Sequence, residues 1–177
     1  MGEKLEEPPY TVITSFNGVE VRRYTSTVQA KVRTAMQENG TPSNGFRRVA
    51  GYIFGGNQQG ASIAMTAPVS MWDEGGSDWL AFTMPSAYSV ETLPRPNDAD
   101  VMLVECPGQD VAVLSFSGRT TLPKRTRLEQ RLRAALEQEG LKSTGPVVLA
   151  VYENPWTTLP FMRRNELHLR LKRSPDE

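Results

Sequence analysis

The feature of this sequence that most constrains its fold is an order of local patterns that occurs twice. Each half reads as strands, then a helix, then strands, although the halves share no obvious identity. This order predicts an α+β fold in which a pseudo-twofold duplicated ββαββ unit forms a distorted antiparallel β-barrel with two helices packed outside, because closure removes exposed sheet edges. We expect a flexible tail over 1–9 and a single domain over 10–173, with halves of about 10–88 and 100–173. Two domains of about 80 residues are the alternative, which the lack of a long linker disfavours.

The strands of the first half are indicated by turns and by alternation. Asn17-Gly18 lies between two β-rich runs and predicts a hairpin, because this pair adopts the positive φ angles of a tight turn. Residues 27–36 alternate apolar and polar side chains, as a half-buried strand does. The apolar run 61–72 predicts another strand, with Pro68 at a bend or an edge. A further strand is predicted over 78–84.

Two segments have helical periodicity. In the first, Phe46, Val49, Ala50 and Ile53 follow the i, i+3, i+4, i+7 spacing that places apolar groups on one helical face. The second helix is predicted over 123–139, before Gly140. A Pro-rich surface loop is predicted over 85–100. The strands expected in the second half are 101–105, 110–117, 147–152 and 166–171.

Composition and charge exclude several classes of protein. The 177 residues include 20 Lys+Arg and 20 Asp+Glu, so a broadly electrostatic nucleic-acid binder is not expected. No apolar run approaches the ~20 residues that span a bilayer, and we expect a soluble, cytoplasmic protein. One cysteine and one histidine exclude an internal disulfide and a two-histidine metal site. The sequence contains few side chains suited to acid–base catalysis, so an enzyme is not expected. The oligomeric state is left open.

Several stretches resemble the SOUL haem-binding protein family and occur in the family's order between residues 10 and 171. The combination of IAMTAPV with PWT-LPF-RRNE is specific for the family. The resemblance implies a fold similar to bacterial gyrase-inhibitor and effector-binding domains, which are duplicated barrels flanked by two helices. The stretches are VEVRRY (19–24), GFRRVAGYIFGGN (45–57), IAMTAPV (63–69), FTMPSAY (82–88), LPRPND (93–98), AVLSFSG (112–118) and NPWTTLPFMRRNEL (154–167).

The resemblance also implies a ligand and its site. Haem or another porphyrin is expected to bind reversibly in an apolar groove beside the first helix, with basic side chains near the propionates. The protein is then expected to act as a carrier, buffer or scavenger of this ligand. The alternative role of each side chain of the implied site is structural, in the core or in a structured loop. Gly51 stands where some members of the family have a basic residue. Some relatives are plastid proteins, so a plastid location is the alternative if a targeting segment was removed. The implied site residues are Phe46, Arg47, Val49, Ala50, Ile53, Met65, Trp156, Phe161, Arg163 and Arg164.

The iron ligand is unknown from the sequence. The family position at which one member has a histidine ligand is Arg23 here, and a guanidinium has no available lone pair. His168 and Cys106 remain weak candidates. Because His168 alternates with Leu167 and Leu169, we expect it to point to the opposite face of its strand.

Two further readings compete with porphyrin binding. A protein-interaction module with a vestigial groove would use the basic second helix to attract an anionic partner. A hydrolase-like enzyme on the same barrel needs a general base, and Glu20, Glu38 and Glu91 have no diagnostic partner. The cations of the second-helix region are Arg119, Lys124, Arg125, Arg127, Arg131 and Arg133.

Overall fold

Strands dominate the fold, which was analysed in a computed structural model. The structure describes residues 4–35, 44–153 and 162–173, so Trp156 and Phe161 of the predicted site lie outside the described residues. The described helices are α1 (Gly45–Ile53) and α2 (Leu122–Gln138). The described strands are β1 (Tyr10–Phe16), β2 (Val19–Tyr24), β3 (Thr27–Thr34), β4 (Val69–Glu74), β5 (Ser77–Thr83), β6 (Met102–Cys106), β7 (Gln109–Phe116), β8 (Ser143–Val151) and β9 (Asn165–Leu171).

All nine strands belong to one antiparallel sheet, in the order β1-β2-β7-β9-β8-β4-β5-β3-β6. The strands β2, β3, β4 and β5 of the first half correspond to β6, β7, β8 and β9 of the second half. When the corresponding strands are exchanged, the order from β2 to β6 is the same order read from its other end. The β4–β8 pair lies at the centre, and β1 is an addition at one end. The α+β class with an antiparallel sheet is confirmed. Closure into a barrel is not confirmed, because no ladder joins β1 to β6 within the described residues.

One face of the sheet and both helices share a hydrophobic core. Leu167 and Leu169 of β9 are 1% and 0% exposed and pack in the same cluster as Ile53 of α1 and Leu132 of α2. Burying a side chain of this size stabilises the fold by about 1.5–3 kcal/mol. Residues that alternate with these leucines therefore lie on the other face of the sheet.

The first turn of α1 lies tightly against β3 because Gly45 has no side chain. A Cβ atom at Gly45 would lie 2.7 Å from the Cβ of Thr34, a distance that side chains do not tolerate. The Gly45 backbone N–H donates a hydrogen bond to the Thr34 hydroxyl at 3.2 Å. The helix ends before Gly55, whose φ of 110° is accessible to glycine.

Two predicted segments differ from the structure. The strand expected over 61–72 begins only at Val69, and residues before it form isolated bridges at Ser62 and Thr66. Pro68 has no N–H to donate to a ladder, which explains the late start. The loop over 85–100 is on the surface but is fixed to α1, because the Tyr52 hydroxyl donates to the Pro94 carbonyl at 2.7 Å.

Before β1, residues 4–9, which we call the N-terminal strap, contact other parts of the chain. The flexible tail expected over 1–9 stays a prediction. The Ala67 backbone N–H donates to the Glu6 carbonyl at 2.9 Å. The Ser86 N–H and hydroxyl donate to the Glu6 carboxylate at 2.9 and 2.6 Å. The Glu7 carboxylate forms an ion pair with Arg164 at 2.5 Å.

Candidate functional site

The apolar face predicted for the first helix divides into an inner and an outer part. Val49 and Ile53 are 0% and 1% exposed and belong to the core, so they support α1 and do not form a surface for a ligand. Phe46 is 47% exposed and Ala50 is half-buried on the outer side. Phe54, which follows the last helical residue, is 66% exposed.

We call Phe46, Arg47, Ala50, Gly51 and Phe54 the outer face of α1. The Phe46 ring is partly anchored, since its centroid lies 5.5 Å from that of the buried Phe82 ring. Apart from the adjacent residues and the backbone of the helix itself, no heavy atom lies within 4 Å of the position that a Cβ would take at Gly51. Small residues therefore leave a low surface between two exposed phenylalanine rings. This surface is the candidate ligand surface of the helix.

The two neighbouring arginines of α1 have different roles. Arg48 forms a two-pronged ion pair with Asp98, with both nitrogen–oxygen distances at 2.8 Å, and also reaches Asp100 at 2.8 Å. The hydrogen bonds from Arg48 lower the pKa of Asp98 below its usual value. Arg47 is exposed and has no ion pair with another residue that the structure describes. Arg47 is thus the cation that α1 offers to a ligand.

The other predicted site residues within the described ranges are partly engaged. Met65 is half-buried and packs against the core. Arg163 is half-buried and interacts with other groups of the protein. The Arg164 guanidinium pairs with Glu7 and lies 3.9 Å above the Tyr152 ring centroid. Arg164 is therefore already paired with a carboxylate of the protein itself.

The candidate iron ligands lie on the opposite face of the sheet from α1. His168 points away from Leu167 and Leu169, as its alternation predicts, and 16% of its side chain is exposed. Cys106 and His168 line the same small cleft, of about 90 Å³. Burial raises the pKa of the Cys106 thiol, which disfavours the thiolate that would bind iron.

A buried charged cluster fixes His168 in this position. Glu166 is 3% exposed, and its carboxylate lies 3.0 Å from an Arg22 nitrogen and 2.9 Å from His168 Nε2. The Tyr152 hydroxyl donates to the same carboxylate at 2.5 Å. Burial alone would raise the pKa of Glu166, but the hydrogen bonds from His168 and Tyr152 and the charge of Arg22 lower it to about 2. Glu166 is therefore ionised and satisfied within the fold.

A larger cleft, of about 350 Å³, lies beside the strap. Its described lining residues include Glu6, Glu7, Glu91 and Glu105, and none of them is a lysine or arginine. A ligand with two carboxylates would be repelled by these side chains. The outer face of α1, in contrast, contains no acidic side chain.

Comparison with known proteins decides the family. A family model described as SOUL heme-binding protein matches residues 5–170. The chain belongs to the SOUL haem-binding protein family. "Heme-binding protein 2" of Mus musculus is 31% identical over 139 residues, which cover 74% of this chain and 66% of that protein. The protein of the same name from Homo sapiens is 30% identical over 139 residues with the same coverage, so the match spans just under two thirds of these curated relatives.

Solved structures resemble this SOUL chain in fold alone. A hydrolase from Listeria innocua has a TM-score of 0.60 at 14% identity and covers 90% of this chain and 94% of its own. The EcmrR C-terminal domain has a TM-score of 0.64 at 7% identity, with coverage of 93% and 99%. An uncharacterized conserved protein from Listeria innocua has a TM-score of 0.65 at 13% identity, with coverage of 87% and 92%.

SOUL membership supports haem binding in general. The description of the family names haem binding and no enzymatic activity, in agreement with our expectation that the chain is not an enzyme. The word hydrolase, used of a structure 14% identical, transfers no activity to this chain. Neither helix in the described part of the chain has the length and apolar character of a membrane span.

The basic second helix of this SOUL protein uses some of its cations internally. Lys124 donates to the Ser117 carbonyl at 2.6 Å, and Arg133 pairs with Glu129 at 2.9 Å. Arg125 is half-buried, and its Nη1 has no hydrogen-bond partner among the described residues. An anionic partner for this helix stays a prediction. Besides Arg133, the exposed cations of this region are Arg119, Arg127 and Arg131.

Sequence reasoning missed three residues that define the two faces of this SOUL protein. Phe54 was outside the helical pattern, although it follows Ala50 by four residues and Phe46 by eight. Glu166 has the same strand parity as His168, and that spacing could have paired them. Arg22 joins Glu166 across 144 residues of sequence, and only the β2-β7-β9 order brings them together.

Proposed function

We propose that this SOUL protein binds haem or a related tetrapyrrole reversibly on the outer face of α1, as a carrier, buffer or scavenger. The observation that carries the proposal is the pair of exposed rings, Phe46 and Phe54, on either side of Ala50 and Gly51. A porphyrin is a large flat hydrophobe, and an apolar surface with few polar groups is what such a ligand requires. The SOUL family match supplies the class of ligand.

The charge and donor set of this face fit a porphyrin with two propionates. Arg47 presents a planar guanidinium, whose geometry matches a carboxylate. Tyr52 does not offer a phenolate to iron, because its hydroxyl donates to Pro94 and burial raises its pKa to about 12. Binding then depends on apolar contact and carboxylate pairing more than on a bond from the protein to iron.

Titration with two porphyrins tests this proposal. Haem and iron-free protoporphyrin IX have the same ring and the same propionates, so they are expected to bind with affinities within about threefold of each other. Porphyrin absorbance and the quenching of tryptophan fluorescence report the binding. Failure of both porphyrins to bind at tens of micromolar contradicts the proposal.

The proposal includes the organisation of the chain as one domain built from a duplicated unit. Corresponding strands of the two halves occupy equivalent positions in the sheet, which supports a duplicated ββαββ unit within one domain over 10–173. Core residues come from both halves, so we expect one cooperative unfolding transition. Coincident urea transitions by circular dichroism and tryptophan fluorescence are expected, and two separate transitions would indicate two domains.

A second candidate function, an interaction module, is supported by the charge order of α2. Its first turn contains Lys124 and Arg125 and no acidic residue, and its last turn contains no basic residue. The helix dipole favours the opposite order, so an anionic partner near the first turn would offset this cost. Exchanging Arg127 and Arg131 for glutamine should weaken capture of that partner and leave porphyrin affinity unchanged.

A further inference from the structure

The outer face of α1 offers a ligand one cation. Arg47 is exposed and has no ion pair with another described residue. Gly51 follows Arg47 by four residues, so the two positions are neighbours on the helix surface. Apart from adjacent residues and the backbone of the helix itself, no heavy atom lies within 4 Å of a Cβ built at Gly51. A long side chain would therefore fit beside Arg47, but glycine supplies no donor there.

The next cation of the helix is already bound within the protein. Arg48 donates to both oxygens of Asp98 at 2.8 Å and to Asp100 at 2.8 Å. Two carboxylates thus surround one guanidinium, and the Asp100 side chain is 76% exposed. A ligand carboxylate that approached Gly51 from this side would meet like charges.

Arg95 lies beyond the other end of the outer face. Its backbone carbonyl accepts a hydrogen bond from the Gln58 N–H at 2.9 Å, which places the Arg95 backbone past the end of α1. Arg47 and Phe54 are seven residues apart, about 10 Å along the helix axis. The two propionates of protoporphyrin IX leave the ring at the same edge, so an edge that reaches Arg47 points away from Arg95.

We propose that this SOUL protein holds its tetrapyrrole by one carboxylate, which pairs with Arg47, and that Gly51 sets this limit. The inference rests on the proposed function and deepens it. The ligand class is a tetrapyrrole with at least one free carboxylate, and a second carboxylate remains in solvent. Gly51 is then a specificity-determining residue, because it lets the outer face accept tetrapyrroles with one carboxylate as readily as those with two.

Three ligands with the same ring test this inference on the full chain at low ionic strength. Protoporphyrin IX, its monomethyl ester and its dimethyl ester carry two, one and no free carboxylates. The wild type should bind the first two within about twofold, the statistical advantage of having two carboxylates for one site. The dimethyl ester should bind about threefold more weakly than the monomethyl ester, as expected for the loss of an exposed ion pair.

The role of Arg47 is tested by Arg47→Gln beside Arg127→Gln. Arg127 is an exposed cation of α2, which packs on β7, whereas α1 packs on β3 and β5. Arg47→Gln should bind all three ligands within about twofold of one another. Arg127→Gln should keep the wild-type order, because it removes the same charge away from α1.

The role of Gly51 is tested by a gain of function. Gly51→Arg and Gly51→Gln both replace a helical glycine by a long side chain, but only the first adds a second guanidinium beside Arg47. The ratio of protoporphyrin IX affinity to monomethyl ester affinity should be about threefold higher in Gly51→Arg than in Gly51→Gln. Both variants should bind the dimethyl ester equally, which a change in stability alone would not distinguish by charge.

The outcomes separate this inference from the proposed function. A wild-type preference for protoporphyrin IX over the monomethyl ester beyond about threefold shows a second carboxylate partner and overturns the inference, while porphyrin binding stands. Loss of that preference in Arg95→Gln would identify the partner. Equal wild-type affinity for the monomethyl and dimethyl esters overturns it as well, because Arg47 would then pair with no carboxylate. Failure of all three ligands to bind overturns the proposed function and this inference together.

Discussion

His168 Nε2 lies 2.9 Å from Glu166 Oε1, and both side chains leave β9 on the face that points away from α1. The core leucines Leu167 and Leu169 separate this pair from the outer face of α1. The only histidine of the chain therefore belongs to a structural charge cluster and not to the proposed porphyrin surface.

The first prediction concerns iron ligation. His168→Ala and Cys106→Ser, made singly, should each reduce haem affinity by tenfold or less, about 1.4 kcal/mol, because neither side chain lies on the outer face of α1, where we propose that the porphyrin binds. Absorbance titration measures the affinities. Thermal melting accompanies the titration, since His168→Ala removes a hydrogen bond from Glu166. A low-spin ferric spectrum that disappears in one variant together with most of the affinity would show that the iron is bound there.

The contrast between α1 and β9 shows what could be predicted from the sequence. Apolar spacing predicted the existence of α1 and the direction of His168, because both follow from local periodicity. The same spacing could not tell that Val49 and Ile53 face inward while Phe46 and Ala50 face outward, since that depends on where α1 lies on β3 and β5. The Arg22–Glu166 pair depends on strand order, which no local pattern contains.

The second prediction concerns acid stability. The pKa of Glu166 is about 2 in the folded protein and near 4.5 when unfolded, so its contribution is complete above about pH 4.5 and is lost as pH falls toward 2. Glu166→Gln leaves the Arg22 guanidinium, 5% exposed, with Glu20 as its remaining carboxylate and should cost about 3 kcal/mol at pH 7.

Urea unfolding of wild type and Glu166→Gln at pH 7 and pH 3 measures this effect. The difference in unfolding free energy between the two proteins should be smaller at pH 3. Glu105→Gln, at an exposed carboxylate, serves as the control and should change stability by less than about 0.5 kcal/mol at pH 7. A difference that is the same at both pH values contradicts the role given to Glu166.

The third prediction concerns the link between α1 and the 93–100 segment. Arg48 and Asp98 form a two-pronged pair that is only partly exposed, at 29% and 36% of their side chains. A double-mutant cycle with Arg48→Gln and Asp98→Asn should give a coupling energy of about 1 kcal/mol. Chemical unfolding supplies the four free energies. Strictly additive single effects would mean that the pair contributes nothing to the attachment of α1.

The fourth prediction tests the outer face of α1, and one measurement decides it: the haem affinity of Phe54→Ser beside that of Ile13→Ser. Ile13 is an exposed apolar residue of β1, 46% exposed against 66% for Phe54, and serves as the matched control. Loss of ring contact at Phe54 should weaken binding by about fivefold or more. Ile13→Ser should remain within about twofold of wild type. A folded Phe54→Ser variant that binds haem as tightly as Ile13→Ser would contradict the placement of the ligand on the outer face of α1.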